Sequence, residues 1–120
     1  MTQEDKELLL QDLCARLPYG VIIQVKDWTV LDAELKIGHI NRLQINDVEL
    51  KPYLFPMSSM TEEQKMFLKQ QNWYIAISTS GTVETTIEGI DWLNKNHFDY
   101  RGLIPMGLAI PVTKENNPYK

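Results

Sequence analysis

Residues 21–37 read VIIQVKDWTVLDAELKI. The first part, VIIQVKD, is rich in β-branched side chains and predicts a strand from Val21. From Leu31 the chain alternates. Leu31, Ala33, Leu35 and Ile37 are apolar, while Asp32, Glu34 and Lys36 between them are charged. Side chains along a strand point to opposite faces in turn, so this period of two predicts a strand with one face on a core and one in water. The link between the two strands is short and carries Asp27. A parallel pair needs a crossover of a dozen or more residues, so a short link implies antiparallel neighbours. The same reading extends to RLQIND (residues 42–47) and VELKPYL (48–54), with Gly38, Asn41 and the pair Asn46-Asp47 at the turns. Residues 21–55 are therefore predicted as an antiparallel meander with one apolar face for helices to cover.

Helix signals flank this region. Thr2 can cap a helix, with Asp5 three residues on as a weaker version of the capping-box acid, and Leu9, Leu13 and Leu17 then repeat at i, i+4, i+8 with Leu10 and Cys14 beside them. Pro18 and Gly20 stop that helix. After Pro56, Thr61 and Gln64 repeat the box, with Glu62 and Glu63 where a helix dipole favours acids. A helix over about residues 62–71 follows. WYIAIS (73–78) predicts a short strand and STSGT (78–82) a loop. Val83, Ile87, Ile90 and Leu93 predict a helix ending near Asn96, with Thr85 and Glu88 as its box. GLAIPV (107–112) suits a last strand, and residues 113–120 form a polar, loose tail.

The expected fold is α+β: an antiparallel meander of about three to five strands packed against about three helices. Residues 1–112 form its single domain. The 120 residues are 43% hydrophobic and 23% charged, ordinary for a globular domain with a packed core. The net charge of -4 disfavours a surface built for nucleic-acid backbone. No apolar stretch is long enough to cross a membrane, and the acidic start, MTQEDKELLL, does not read as a signal peptide. The single cysteine, Cys14, makes neither an intramolecular disulfide nor a cysteine-rich zinc site. A cytoplasmic protein is the expectation.

Two segments carry chemistry-bearing residues. HFDYR (97–101) sets an imidazole, a carboxylate, a phenol and a guanidinium side by side. An acid–base pair of His97 and Asp99 needs both groups aimed at one cleft. The structural alternative gives each a local task. His97 lies against the apolar face at the helix end, Asp99 caps the turn before Pro105, and Arg101 pairs with Asp99 or with helix-end carbonyls. His97, Asp99, Tyr100 and Arg101 are therefore expected to form a structural turn or an interaction segment. In the second segment a strand, a small hydroxyl-rich loop and a helix resemble locally the phosphate loop of flavodoxins. Ser80, Gly81 and Thr82 are the anion-binding candidates there, although a meander is the wrong context for that loop. Glu84, Glu88 and Asp91 share a predicted helix face, read as solvated rather than metal-binding. Cys14 is expected to be buried and inert, His39 to sit at a strand end, and Trp28, Trp73 and Trp92 to be core or core-edge aromatics. No catalytic residue, metal or cofactor is assigned.

Three stretches share a common likeness: LCARLPYGV from Leu13, ELKPYLFPMSSMTEEQ from Glu49, and DWLNKNHFDYRGLIPMGLAI from Asp91. Together they resemble a family of small uncharacterised proteins encoded by gut anaerobic bacteria, their prophages and mobile elements. The resemblance implies an intracellular protein of phage or mobile-element origin. It carries over no catalytic or ligand residue. The functional expectation is a non-enzymatic module that binds another protein, or a second copy of itself, through an apolar patch or a sheet edge. The alternatives are an enzyme or nucleotide-binding protein using the Ser78–Thr82 loop, and a nucleic-acid-associated regulator.

Overall fold

In the computed structural model, which describes residues 1–73, 76–77 and 83–120, the first helix, α1 (Gln3–Arg16), opens on the capping box. The Asp5 N–H donates to Thr2 Oγ1 at 3.0 Å, and the Thr2 N–H donates to the Asp5 carboxylate at 3.2 Å. Two of the amides a helix start leaves unpaired are thus satisfied. A 3-10 turn at Leu17–Tyr19 ends the helix, and Gly20 takes the left-handed conformation, φ 68°, that suits glycine at a C-terminus.

The strands β1 (Ile22–Lys26) and β2 (Val30–Glu34) form an antiparallel hairpin, with Ile23 opposite Ala33 and Val25 opposite Leu31. Beyond it the chain departs from the predicted meander. Residues Ile37–Gln44 form a helix, α2, where GHI and RLQIND were expected to be a turn and a strand. Ile37, Ile40 and Leu43 recur every third residue, which also fits a helix, and Ile40 and Leu43 are buried by it. His39 accordingly lies in the first turn of a helix, not at a strand end. Its Nδ1 accepts from the Lys36 N–H at 3.0 Å.

The helix changes the topology. The next strand, β3 (Glu49–Leu54), pairs antiparallel with β1 on the side away from β2. β2 and β3 therefore run the same way with β1 between them, and α2 makes the crossover. A two-stranded ribbon, β4 (Ala76–Ile77) with β5 (Val83–Glu84), follows the helix α3 (Glu62–Gln70). After α4 (Ile87–Lys95), β6 (Ile110–Pro111) joins β3 in parallel. The main sheet has the order β2-β1-β3-β6 and is mixed. Among the described residues the fold is thus α+β with four helices and a mixed four-stranded sheet, not a pure meander.

The capping box of α3 is present, with Gln64 N–H to Thr61 Oγ1 at 3.1 Å and Thr61 N–H to Gln64 Oε1 at 2.9 Å. The start of α4 is displaced. Thr86, not Thr85, is its cap and accepts from the Gly89 N–H at 3.1 Å. Val83 and Glu84 belong to β5, so Glu84 does not share a helix face with Glu88 and Asp91. Ile87 and Ile90 are exposed, and Leu93 enters the core together with Gly89 and Asn94.

The core has two parts. The larger joins Leu9 and Leu13 of α1, Ile23 and Val25 of β1, Ile40 and Leu43 of α2, Leu50 and Leu54 of β3, and Leu103, Leu108 and Ala109. The smaller groups Met60, Leu68, Leu93 and Phe98 with Phe55, Trp73 and Trp92 around them. The alternation in residues 31–37 holds only in its middle. Leu35 is buried and Ala33 half-buried, but Leu31 is 52% exposed and Ile37 60% exposed. Leu31 lies at the outer end of an edge strand, and Ile37 is already in α2, where the period has changed from two to 3.6. Residues 113–120, expected to be a loose tail, include an anchored side chain. Tyr119 Oη accepts from the Ile22 N–H at 3.0 Å and donates to the Tyr53 carbonyl at 2.7 Å.

Candidate functional site

The segment from Leu93 to Arg101 closes α4 and returns the chain to α1. His97 has φ 63°, the left-handed conformation that usually selects glycine or asparagine. Its N–H donates to the Asn94 carbonyl at 3.2 Å, and the Phe98 N–H donates to the Leu93 carbonyl at 2.9 Å. These are the two bonds of a Schellman motif, and the usual apolar contact accompanies them, since Leu93 and Phe98 share a core cluster. Backbone bonds from Phe55 N–H to the His97 carbonyl and from Asp99 N–H to the Phe55 carbonyl then fasten this corner beside β3.

Asp99 is buried. Its two carboxylate oxygens accept from the Leu103 and Ile104 N–H groups at 2.8 and 2.9 Å. The side chain of Arg101 goes elsewhere than to Asp99 or a helix end. It donates to Asp12 Oδ1 at 3.0 Å, across 89 residues of sequence. Asp12 Oδ2 accepts from Arg16 Nε at 2.8 Å, and Arg16 Nη2 donates to the Phe98 carbonyl at 2.6 Å. One buried carboxylate thus joins two guanidinium groups. Both groups also lie over the Tyr100 ring, Arg101 at 4.8 Å and Arg16 at 5.3 Å from its centroid. The Tyr100 hydroxyl donates to Asn94 Oδ1 at 3.0 Å.

Asp12 and Arg16 carry this network, and neither was a candidate in the sequence reading. Their signal is visible in retrospect. Leu9, Asp12, Leu13 and Arg16 occupy i, i+3, i+4 and i+7, so two opposite charges four residues apart sit in the apolar stripe itself. Cys14, by contrast, lies off that stripe and is exposed, not buried.

His97 stands at the edge of the network. Its ring stacks on Tyr119 with centroids 4.2 Å apart and planes 7° from parallel. Burial first, and the nearby Arg16 charge second, hold its pKa down at about 4, against 6.5 ordinarily. Burial also pushes the Tyr119 phenol up to about 12. Among the described residues neither His97 Nδ1 nor Arg16 Nη1 has a hydrogen-bond partner. His97 and Asp99 do not form an acid–base pair: both oxygens of Asp99 are taken by backbone amides, and the imidazole lies under a phenol ring.

A pH dependence follows from that imidazole. The unfolded chain takes up a proton on His97 near pH 6.5, and the folded chain does so only near pH 4. Stability should therefore fall as pH drops through this window and change no further on this account below it. Comparing urea midpoints at about pH 7 and about pH 4.5, the wild type should lose more than His97→Asn, which keeps the left-handed conformation and cannot titrate. Equal losses would mean that the ring is hydrated in solution.

The anion-binding candidates Ser80, Gly81 and Thr82 lie outside the described residues. A concavity of about 440 Å³ lined by Asp5, Leu9, Glu49, Lys51, Met106 and Leu108 holds none of the candidate residues. Among the described residues no group of three or more histidine, cysteine or acidic side chains is placed to hold a metal ion, and no helix is long and apolar enough to cross a membrane.

The most conspicuous surface feature is elsewhere. Trp28, expected to be a core or core-edge aromatic, is 95% exposed at the tip of the β1–β2 hairpin. Among the described residues, α2 reaches this turn at Asp27, whose Oδ2 accepts from Arg42 Nη2 at 3.1 Å, and leaves Trp28 beside it in water. Val30, 58% exposed, and Leu31 follow it on β2. Comparisons with protein-family models, curated proteins and solved structures return no match to this chain.

Proposed function

We propose that this chain is a non-enzymatic protein-interaction module that works in the cytoplasm and binds a partner through the β1–β2 hairpin. The observation that carries the reading is Trp28, almost wholly exposed, beside Val30 and Leu31 on a strand at the end of the sheet order. Exposed tryptophan is costly to leave in water and is enriched among residues that dominate binding energy. The polar cluster around Asp12 supports the same reading from the other side. Its hydrogen-bonding groups are largely spent on each other and on the backbone, which leaves little for catalysis. An origin in a phage or mobile element rests on the three-segment resemblance alone.

A photo-reactive phenylalanine analogue in place of Trp28, expressed in the native host, tests the reading. One protein should crosslink at that position and should be absent when the analogue stands at Glu63, an exposed residue of α3. Identical crosslinks from both positions, or none from position 28, would overturn the proposal.

A further inference from the structure

We infer that the outer edge of β2 is a docking edge for an extended segment of a different protein whose residues alternate apolar and basic. The inference rests on the interaction-module reading and names its partner chemistry. β2 ends the sheet order, and among the described residues β1 alone pairs with it. Four of its five residues are exposed. An edge strand presents unpaired backbone groups along its free side, and a further strand can add there.

The side chains select which strand. Leu31 and Ala33 lie opposite Val25 and Ile23 and share the core face of the sheet. Val30, Asp32 and Glu34 lie on the other face, so the strand carries two acids and no base. A second copy of this chain is a poor occupant. Laid antiparallel over the full strand, it sets Asp32 opposite Asp32; a shift of two residues one way sets Asp32 opposite Glu34, and the shift the other way avoids like charges but pairs only residues 30–32. Like charges directly opposed destabilise a strand pair.

An incoming strand with Lys or Arg opposite Asp32 and Glu34, and apolar residues opposite Leu31 and Ala33, reverses both terms. Asp32 has spent Oδ1 on the Tyr53 hydroxyl, at 2.8 Å, and keeps Oδ2. Glu34 is paired with Lys36, but both side chains are at least half exposed and such pairs hold weakly enough to exchange. Lys26 faces Val30 from β1 and does not lie on the edge. Charges on edge strands also serve simply to block association. A blocked edge does not explain why Trp28, Val30 and Leu31 are left in water beside it.

Two synthetic peptides of about eight residues, one alternating Lys and Val and one alternating Glu and Val, cover the strand and test the inference. Binding is followed by amide chemical shifts of the protein and by the fluorescence of a label on the peptide. The lysine peptide should bind the wild type, with shifts centred on residues 28–35 and affinity falling as salt rises. In the exposed double variant Asp32→Lys, Glu34→Lys it should bind about tenfold more weakly, two attractive pairs having become repulsive. The glutamate peptide should show the opposite preference. Failure of the lysine peptide to bind at about 1 mM, shifts scattered over the acidic surface, equal binding to both proteins, or self-association of the wild type through β2 would each overturn the docking edge. A crosslink at position 28 that persists while both peptides fail would leave the interaction module standing and remove only the basic strand.

Discussion

Asp12→Ala should cost about 3–5 kcal/mol of folding stability, the range for breaking a buried ion pair by removing one partner. Asp12 is fully buried and accepts from both Arg16 and Arg101. Its loss leaves the Arg16 guanidinium, also fully buried, with only the Phe98 carbonyl and the face of Tyr100 for company. Most of the cost lies in that uncompensated charge, not in the bonds removed. Two companion variants separate these causes. Arg101→Met should be milder, because Asp12 keeps Arg16 and the Arg101 side chain is partly exposed. Asp12→Leu combined with Arg16→Met should recover much of the loss, since apolar residues of similar volume often replace a buried pair without penalty. Recovery will be incomplete, because the Phe98 carbonyl loses its donor. Urea unfolding at neutral pH reads all three. Domains of this kind hold about 5–15 kcal/mol in total, so Asp12→Ala removes a large share. A loss below about 1 kcal/mol would show that the carboxylate is hydrated and that α1 does not dock on this corner.

Phe98→Ala should be of similar severity, about 3–5 kcal/mol, as for other buried aromatic truncations. The ring is almost fully buried and stacks on Trp92 at 5.6 Å and 12°, with Phe55 at 5.8 Å on another side. Its backbone closes the Schellman motif and accepts from Arg16. Alanine keeps those backbone bonds but empties the centre of the smaller core cluster. The expected fall in melting temperature is about 10–20 °C. Phe98→Leu should retain more stability, because it fills part of the same volume. Near-ultraviolet circular dichroism supplies a local readout, since the Trp92–Phe98 stack contributes to it. A variant with wild-type melting temperature and an unchanged aromatic spectrum would mean that this cluster is not packed as described.

Local signals were legible in the sequence wherever neighbours in the chain complete them. Thr2 with Asp5 and Thr61 with Gln64 are capping boxes because the cap and its partner are three residues apart and need nothing else. Pro18 and Gly20 stop α1 through their own backbone constraints, and the β-branched Ile22, Ile23 and Val25 favour β1. Residues 31–43 were ambiguous, because the alternation of the strand and the three-residue recurrence of Ile37, Ile40 and Leu43 overlap. Gly38 and Asn41, read as turn residues, sit within the helix without breaking it.

The candidate site was legible only in part. His97, Asp99, Tyr100 and Arg101 do meet at one corner, but the residues that organise them, Asp12 and Arg16, lie more than eighty positions away. What the sequence determined by itself is the caps of α1 and α3, the stop of α1 and the strand β1, because those depend on contacts between near neighbours. The tertiary structure alone decided that β3 lies on the far side of β1 from β2, that Arg101 closes on Asp12, and that Trp28 is exposed. Strand order, long-range pairing and the exposure of a hairpin tip depend on which distant segment returns to cover a surface, and no pattern within one segment encodes that.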